Sequence, residues 1–406
     1  MNMCDATTTH APTDGGTNEA DAEIGNSAES HQAKQSQPQI ESRNIGGCSE
    51  NSSMITNEPR EVLELRPKCL LLVDDLIQKL QPHPRAEIHR QQVFEYVKKI
   101  IERAVQETSE LPEEPLQQPE QLSDLPAPAE VHVCRFGSVP FKTYLPHGDL
   151  DVTAFAAHDR WLQRAKEILD LEGKSDSARF AVAHVHSVPP DLQKPAHAEV
   201  VKVVKCQVGG IAVDISANAL GGMCTLCLLE KADELVGRDH LLKRAMVLVK
   251  AWCYFESHIL SSQTGLLATY ALETLVLCVL NLFHREVRTP LDVLDRFLSY
   301  LHAFDWAGSC LTIRGPVPRA AILGDTVPAV EDNGQFLLSD RILQEDAVLQ
   351  SVLEGQKDET SSSGFQWKCL NICDPLCPRN NLGRSVSRGN AYRILGAFRL
   401  GRRSLD

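Results

Sequence analysis

Apolar and polar positions divide this chain into unlike stretches. Residues 1–62 are rich in Ser, Thr, Asn, Gln, Glu and Gly and poor in large apolar side chains. Such a segment cannot bury enough surface to offset chain entropy, so disorder is expected. An apolar run over 69–80, bounded by Pro82 and Pro84, reads as an amphipathic helix. Val93, Val97, Ile100, Ile101 and Ala104 recur at helical spacing within 86–105. Residues 63–106 are therefore expected to be helices packed on the body. Residues 107–130 carry Pro and Glu in a pattern that predicts an extended loop. The period then shortens to two. Strands are predicted at 131–136, 149–155, 198–208 and 211–216, the last two joined by Gly209-Gly210 as a hairpin. From Ala217 the spacing is helical, with helices at 241–256, 264–284 and 291–304; Pro290 sits where a helix start tolerates it. Residues 352–364 read as a polar loop. The expected fold class is α+β: a small mixed sheet domain over 131–218, then an all-α domain over 219–404.

Composition narrows this reading. The chain has 406 residues, 43% of them hydrophobic, which allows roughly two to three domains and a core needing no staples. The most apolar run, 265–283, is interrupted by Glu273 and Asn281, so no membrane partner is expected. Residues 1–20 lack the basic and apolar regions of a secretory signal. The 13 cysteines lie mostly in apolar segments, which suits free thiols in a reducing compartment, cytoplasm or nucleus. The net charge of −13 is concentrated in 1–60 and 107–130, leaving the remainder formally neutral. Residues 379–403 contain seven arginines and no acid, a patch suited to a polyanion.

The chemistry lies in acidic residues. In a strand, Asp149 and Asp151 share one face while Leu150 and Val152 turn to the core. Two adjacent carboxylates repel unless a cation lies between them or one is protonated. Oxygen donors of this kind suit Mg2+ (or Mn2+), which is held by one or two carboxylates plus substrate phosphates. Asp214 lies in a strand whose Ile211, Val213 and Ile215 occupy the opposite face. Three carboxylates on adjacent strands can hold two metals, one activating an attacking hydroxyl and one clamping a triphosphate. Gly137 lets the backbone approach a phosphate, and the Ser138 hydroxyl can donate to its oxygens.

Phe136-Gly137-Ser138, followed by Leu145-Pro146-His147-Gly148-Asp149-Leu150-Asp151-Val152, resembles the signature of DNA-polymerase-β-type nucleotidyltransferases. The similarity is to the template-independent poly(A) and terminal uridylyltransferase branch, and in overall wording to plant proteins with a poly(A) polymerase/oligoadenylate synthase substrate-binding-like domain. The segments 247–252, 265–272, 371–376 and 381–387 resemble further blocks of that family, and the likeness extends over 63–404 apart from the inserted loops. The resemblance implies an NTP substrate, an RNA 3′ end as acceptor and release of pyrophosphate. It implies that Asp149 and Asp151 hold both metals and that Asp214 serves the acceptor hydroxyl. Ser138 and Lys250 would hold the triphosphate, Thr269 and Tyr270 would meet sugar, phosphates and base, and Asn381 with Arg384 would belong to the nucleotide-recognition motif. Two positions depart from the pattern. Tyr254 stands where relatives often carry a second Lys, which implies weaker triphosphate binding. Asn380 stands where uridine-adding relatives tend to carry His, which favours ATP and AMP transfer. No RNA-recognition module is visible, so RNA targeting is expected to use a protein partner. The same carboxylates would serve a non-RNA acceptor, and a scaffold that binds without turnover is a third reading. Cys224 and Cys227, with Cys373 and Cys377, have zinc-ligand spacing, but the first pair lies in an apolar helical segment that suits buried thiols. His184 and His186 receive no role.

Overall fold

The computed structural model describes residues 60–109, 131–188, 203–322, 326–338 and 364–405. The expectations for 1–59, 110–130, 198–202 and 352–363 fall outside the described residues.

Helix α1 (Arg60–Leu80) and helix α2 (Pro84–Ser109) precede the sheet. The predicted stripe on α2 is buried, and it extends to Thr108, whose hydroxyl donates to the Ala104 carbonyl at 2.8 Å. The helix therefore continues three residues into the stretch expected to be loop.

The sheet contains β1 (His132–Phe136), β2 (Leu150–Phe155), β3 (Val182–Val188), β4 (Val203–Val208) and β5 (Ile211–Ala217), in the order β1-β2-β5-β4-β3. Strands β2 and β5 are parallel; the other neighbours are antiparallel. Between β1 and β2 lies a single turn, α3 (Ser138–Phe141). Helix α4 (Trp161–Glu172) and strand β3 were not foreseen. Helix α4 buries Trp161, Leu162, Ala165, Ile168 and Leu169, a one-face spacing that its short length and charged partners obscure. Strand β3 carries an irregularity between Ala183 and His186, where His184 takes a φ of 55°, so its alternation is broken. One face of the sheet, with Leu150, Val152, Val204, Cys206, Val213 and Ile215, packs under α2 and α4 in one hydrophobic core. The other face carries the polar side chains.

A second core unites the remaining helices. These are α5 (Leu220–Val236), α6 (Leu241–Ala251), α7 (Thr269–Phe283), α8 (Pro290–Ala303) and, after the ribbon β6 (Ser309–Thr312) and β7 (Gly315–Pro318), α9 (Arg388–Leu405). Helix α7 is buried without a break from Ala271 to Asn281, as a central helix must be. The segment expected as one helix over 241–256 is α6 followed by a wide π-turn, Trp252–Glu256. Gly401 of α9 lies against Trp252: an added Cβ would meet the indole at 2.6 Å. The fold is α+β, a mixed sheet with a helical C-terminal part.

Candidate active site

The strand ladder sets the geometry of the acidic cluster. Asp151 on β2 is paired directly with Asp214 on β5, and Phe136 at the end of β1 is paired with Asp151. Asp149 immediately precedes β2. Carboxylate oxygens of Asp149, Asp151 and Asp214 lie within 4.8 Å of one another, with Asp149 exposed and the other two half-buried. Burial and the charges of Asp149 and Asp214 push the Asp151 carboxyl up to about 7; the Lys205 ammonium opposes them. Three crowded carboxylates, one kept from ionising fully, form a donor set that fits a hard divalent cation.

One neighbour, Lys205, was not anticipated, and Gly137 has a role beyond the phosphate approach expected of it. Lys205 on β4 is paired across the ladder with Asp214 and forms an ion pair with it. Counting back through the Gly209-Gly210 hairpin, whose register pairs Val208 with Ile211, could have found it. Gly137 has a φ of 73°, and a Cβ there would collide with the Asp151 carboxylate. The glycine is thus required by Asp151, a role not visible in the Gly-Ser motif alone.

A cleft of about 410 Å³ opens beside the acids, lined by Ser138, His147, Asp149, Lys250, Tyr254 and Thr269 among others. Ser138 and Thr269 are among the residues that line it. Four expectations are modified by the contacts observed. Lys250 reaches the cleft wall, but its ammonium is buried and committed to Glu273 at 2.9 Å and to the Thr143 carbonyl and hydroxyl at 3.3 Å each. A charge that leaves water needs such partners, so Lys250 is a joint between elements rather than a free phosphate ligand. The Tyr270 ring packs against the helical core and its hydroxyl donates to Asp374 at 2.8 Å; burial pushes the phenol well above its usual range. Asn381 is 1% exposed. Its Oδ1 accepts from the Ile372 and Gly383 amides at 3.1 and 2.8 Å, and its Nδ2 donates to the Gln366 carbonyl and to Asn371 Oδ1. That amide is fully used within the loop and has nothing left for a base. Arg384 is exposed and donates to Asn380, which itself donates to Asp374 at 2.8 Å. Cys224 is buried in α5 with its thiol directed to the Leu220 carbonyl.

No described helix is long and apolar enough to cross a membrane. A family model described as the PAP/OAS1 substrate-binding domain matches residues 236–406. A search of curated proteins finds no match. Among solved structures, a cytoplasmic RNA terminal U-transferase is similar at 17% identity and a TM-score of 0.53, covering 83% of this chain and 94% of its own. Cid1, described by its RNA terminal uridylyl transferase activity, is similar at 16% and 0.54 with the same coverage. Cid1 in complex with the UTP analogue UMPNPP is similar at 15% and 0.55, over 84% and 94%. At these identities the likeness is one of fold. The described chain thus shares the fold of Cid1 and of the cytoplasmic RNA terminal U-transferase, with a PAP/OAS1 substrate-binding domain matched over residues 236–406.

Proposed function

We propose that this chain is a template-independent RNA nucleotidyltransferase that adds AMP from ATP to an RNA 3′ end and releases pyrophosphate. The observation that carries the reading is the acidic cluster: three carboxylates brought within 4.8 Å by the strand register, beside an open cleft. Asp149, Asp151 and Asp214 would hold Mg2+ or Mn2+, which when bound supplies positive charge against the phosphates and the attacking oxygen. Asp214 faces the acceptor hydroxyl and takes its proton, with Lys205 fixing the carboxylate's orientation. The Ser138 hydroxyl donates to a phosphate oxygen. The acceptor 3′-oxygen bonds to the α-phosphorus, the bond from that phosphorus to its bridging oxygen breaks, and pyrophosphate leaves with the electron pair. Arg388, Arg393, Arg399 and Arg403 are exposed on α9 and suit a phosphate backbone. Asn380 supports ATP as the nucleotide.

The test is purified protein with end-labelled RNA and each NTP in turn, under Mg2+ and Mn2+. Extension with ATP is expected, and none from the Asp149→Ala/Asp151→Ala double variant. Wild type that extends no RNA defeats the reading; uridylate tails in place of adenylate overturn the choice of base.

A further inference from the structure

The resemblance marks Tyr254 as a departure, but its surroundings give it a role. The π-turn that follows α6 is closed by the Ser257 amide donating to the Trp252 carbonyl at 2.9 Å, five residues back. Such wide turns occur often at functional sites. This one carries two successive aromatic rings at the surface, Tyr254 at 40% and Phe255 at 48% exposure. His147, two residues ahead of Asp149, stacks on Tyr254 with ring centroids 4.2 Å apart and planes tilted by 31°. Phe255 meets both rings edge-on, at 5.7 Å from His147 and 5.0 Å from Tyr254. Tyr254 and His147 both line the cleft that holds Ser138, Asp149 and Thr269. Tyr270, the aromatic expected to serve a base, is tied to Asp374 in the helical core.

We propose that Tyr254, braced by His147 and Phe255, is the face on which a nucleobase stacks at the mouth of this cleft. The inference rests on the function proposed above and names a residue for it. Every base has a π-face, so such a platform holds any nucleobase without selecting among them. The base belongs either to the incoming nucleotide or to the RNA 3′ end, and the two sources separate in a binding experiment.

Binding is measured on the full chain by calorimetry with two probes: α,β-methylene-ATP with Mg2+, and a short oligoadenylate RNA. Tyr254→Phe keeps the ring and is expected to bind both as wild type does. Tyr254→Leu removes the π-face from an exposed position, and is expected to lose about 5- to 150-fold for the probe whose base stacks. His147→Ala, in the facing loop, is expected to weaken the same probe to a smaller degree. A loss confined to the nucleotide assigns the incoming base, a loss confined to RNA assigns the acceptor base, and either supports the platform. Equal binding of both probes by wild type and Tyr254→Leu overturns it, as does an equal loss in Tyr254→Phe. Wild type that binds neither probe removes both this inference and the proposed function. Wild type that extends RNA, alongside an unimpaired Tyr254→Leu, removes only the platform.

Discussion

The tightest constraint on a single residue falls on Gly137. Its positive φ already disfavours any side chain, and a Cβ would occupy the space of the Asp151 carboxylate. Gly137→Ala is expected to push Asp151 out of the cluster, abolishing Mn2+ binding measured by electron paramagnetic resonance while the helical part stays folded by circular dichroism. Asp151 also sets a pH dependence. Burial and two neighbouring acids lift its carboxyl to about 7, so below that value a proton competes with the cation. Mn2+ affinity should weaken by about tenfold for each pH unit below about 7, as one proton must leave for each cation bound. The same shift acts on folding with a definite sign. A carboxyl raised on folding favours the folded state most where it is protonated, so metal-free stability should decline as pH rises from its ordinary value of 3.8 towards about 7. At this scale the acids themselves were legible, because alternation in two short strands places them on one face. Lys205 was within reach by counting back through the predicted hairpin, whereas the true reason for Gly137 was not, because it depends on β1 lying beside β2.

Among elements, those with a clean period were legible and those with a broken one were not. The buried stripe of α2 and the hairpin between β4 and β5 follow from spacing and from two glycines. Strand β3 escaped because an irregularity interrupts its alternation, and the turn after α6 escaped because a helical period does not reveal one extra residue per turn. The loop around Asn381 shows a different failure. Motif likeness marked it for base recognition, yet the side chain holds Ile372, Gly383, Gln366 and Asn371 together. Asn381→Ala leaves several buried polar groups unpaired, so a loss of at least about 2 kcal/mol is expected in urea unfolding. The ratio of ATP to UTP incorporation by the surviving folded fraction should stay unchanged; an altered ratio would return Asn381 to the base.

Across the whole molecule, the sheet core and the helical core meet at Lys250. Its ammonium, on α6, joins Thr143 beside the sheet to Glu273 within α7. Removing one partner of a buried pair costs about 3–5 kcal/mol, because the other charge is left without compensation. Lys250→Met should therefore lower stability by that amount, and Lys250→Met/Glu273→Leu should recover most of it in the same urea titration. Activity that stays low in the stable double variant would show that the lysine serves the cleft as well as the joint.

The direct pairing of Asp151 with Asp214 has an evolutionary consequence. Two adjacent parallel strands act as a ruler, and the length of the connections among the elements between them does not enter the measurement. Insertions or deletions between β2 and β5 can accumulate without separating the two acids. A slip of one residue within either strand would instead turn one acid inward among Val152, Val213 and Ile215. Natural variation in this chain should therefore be lenient in the connections and strict in the few residues that keep count.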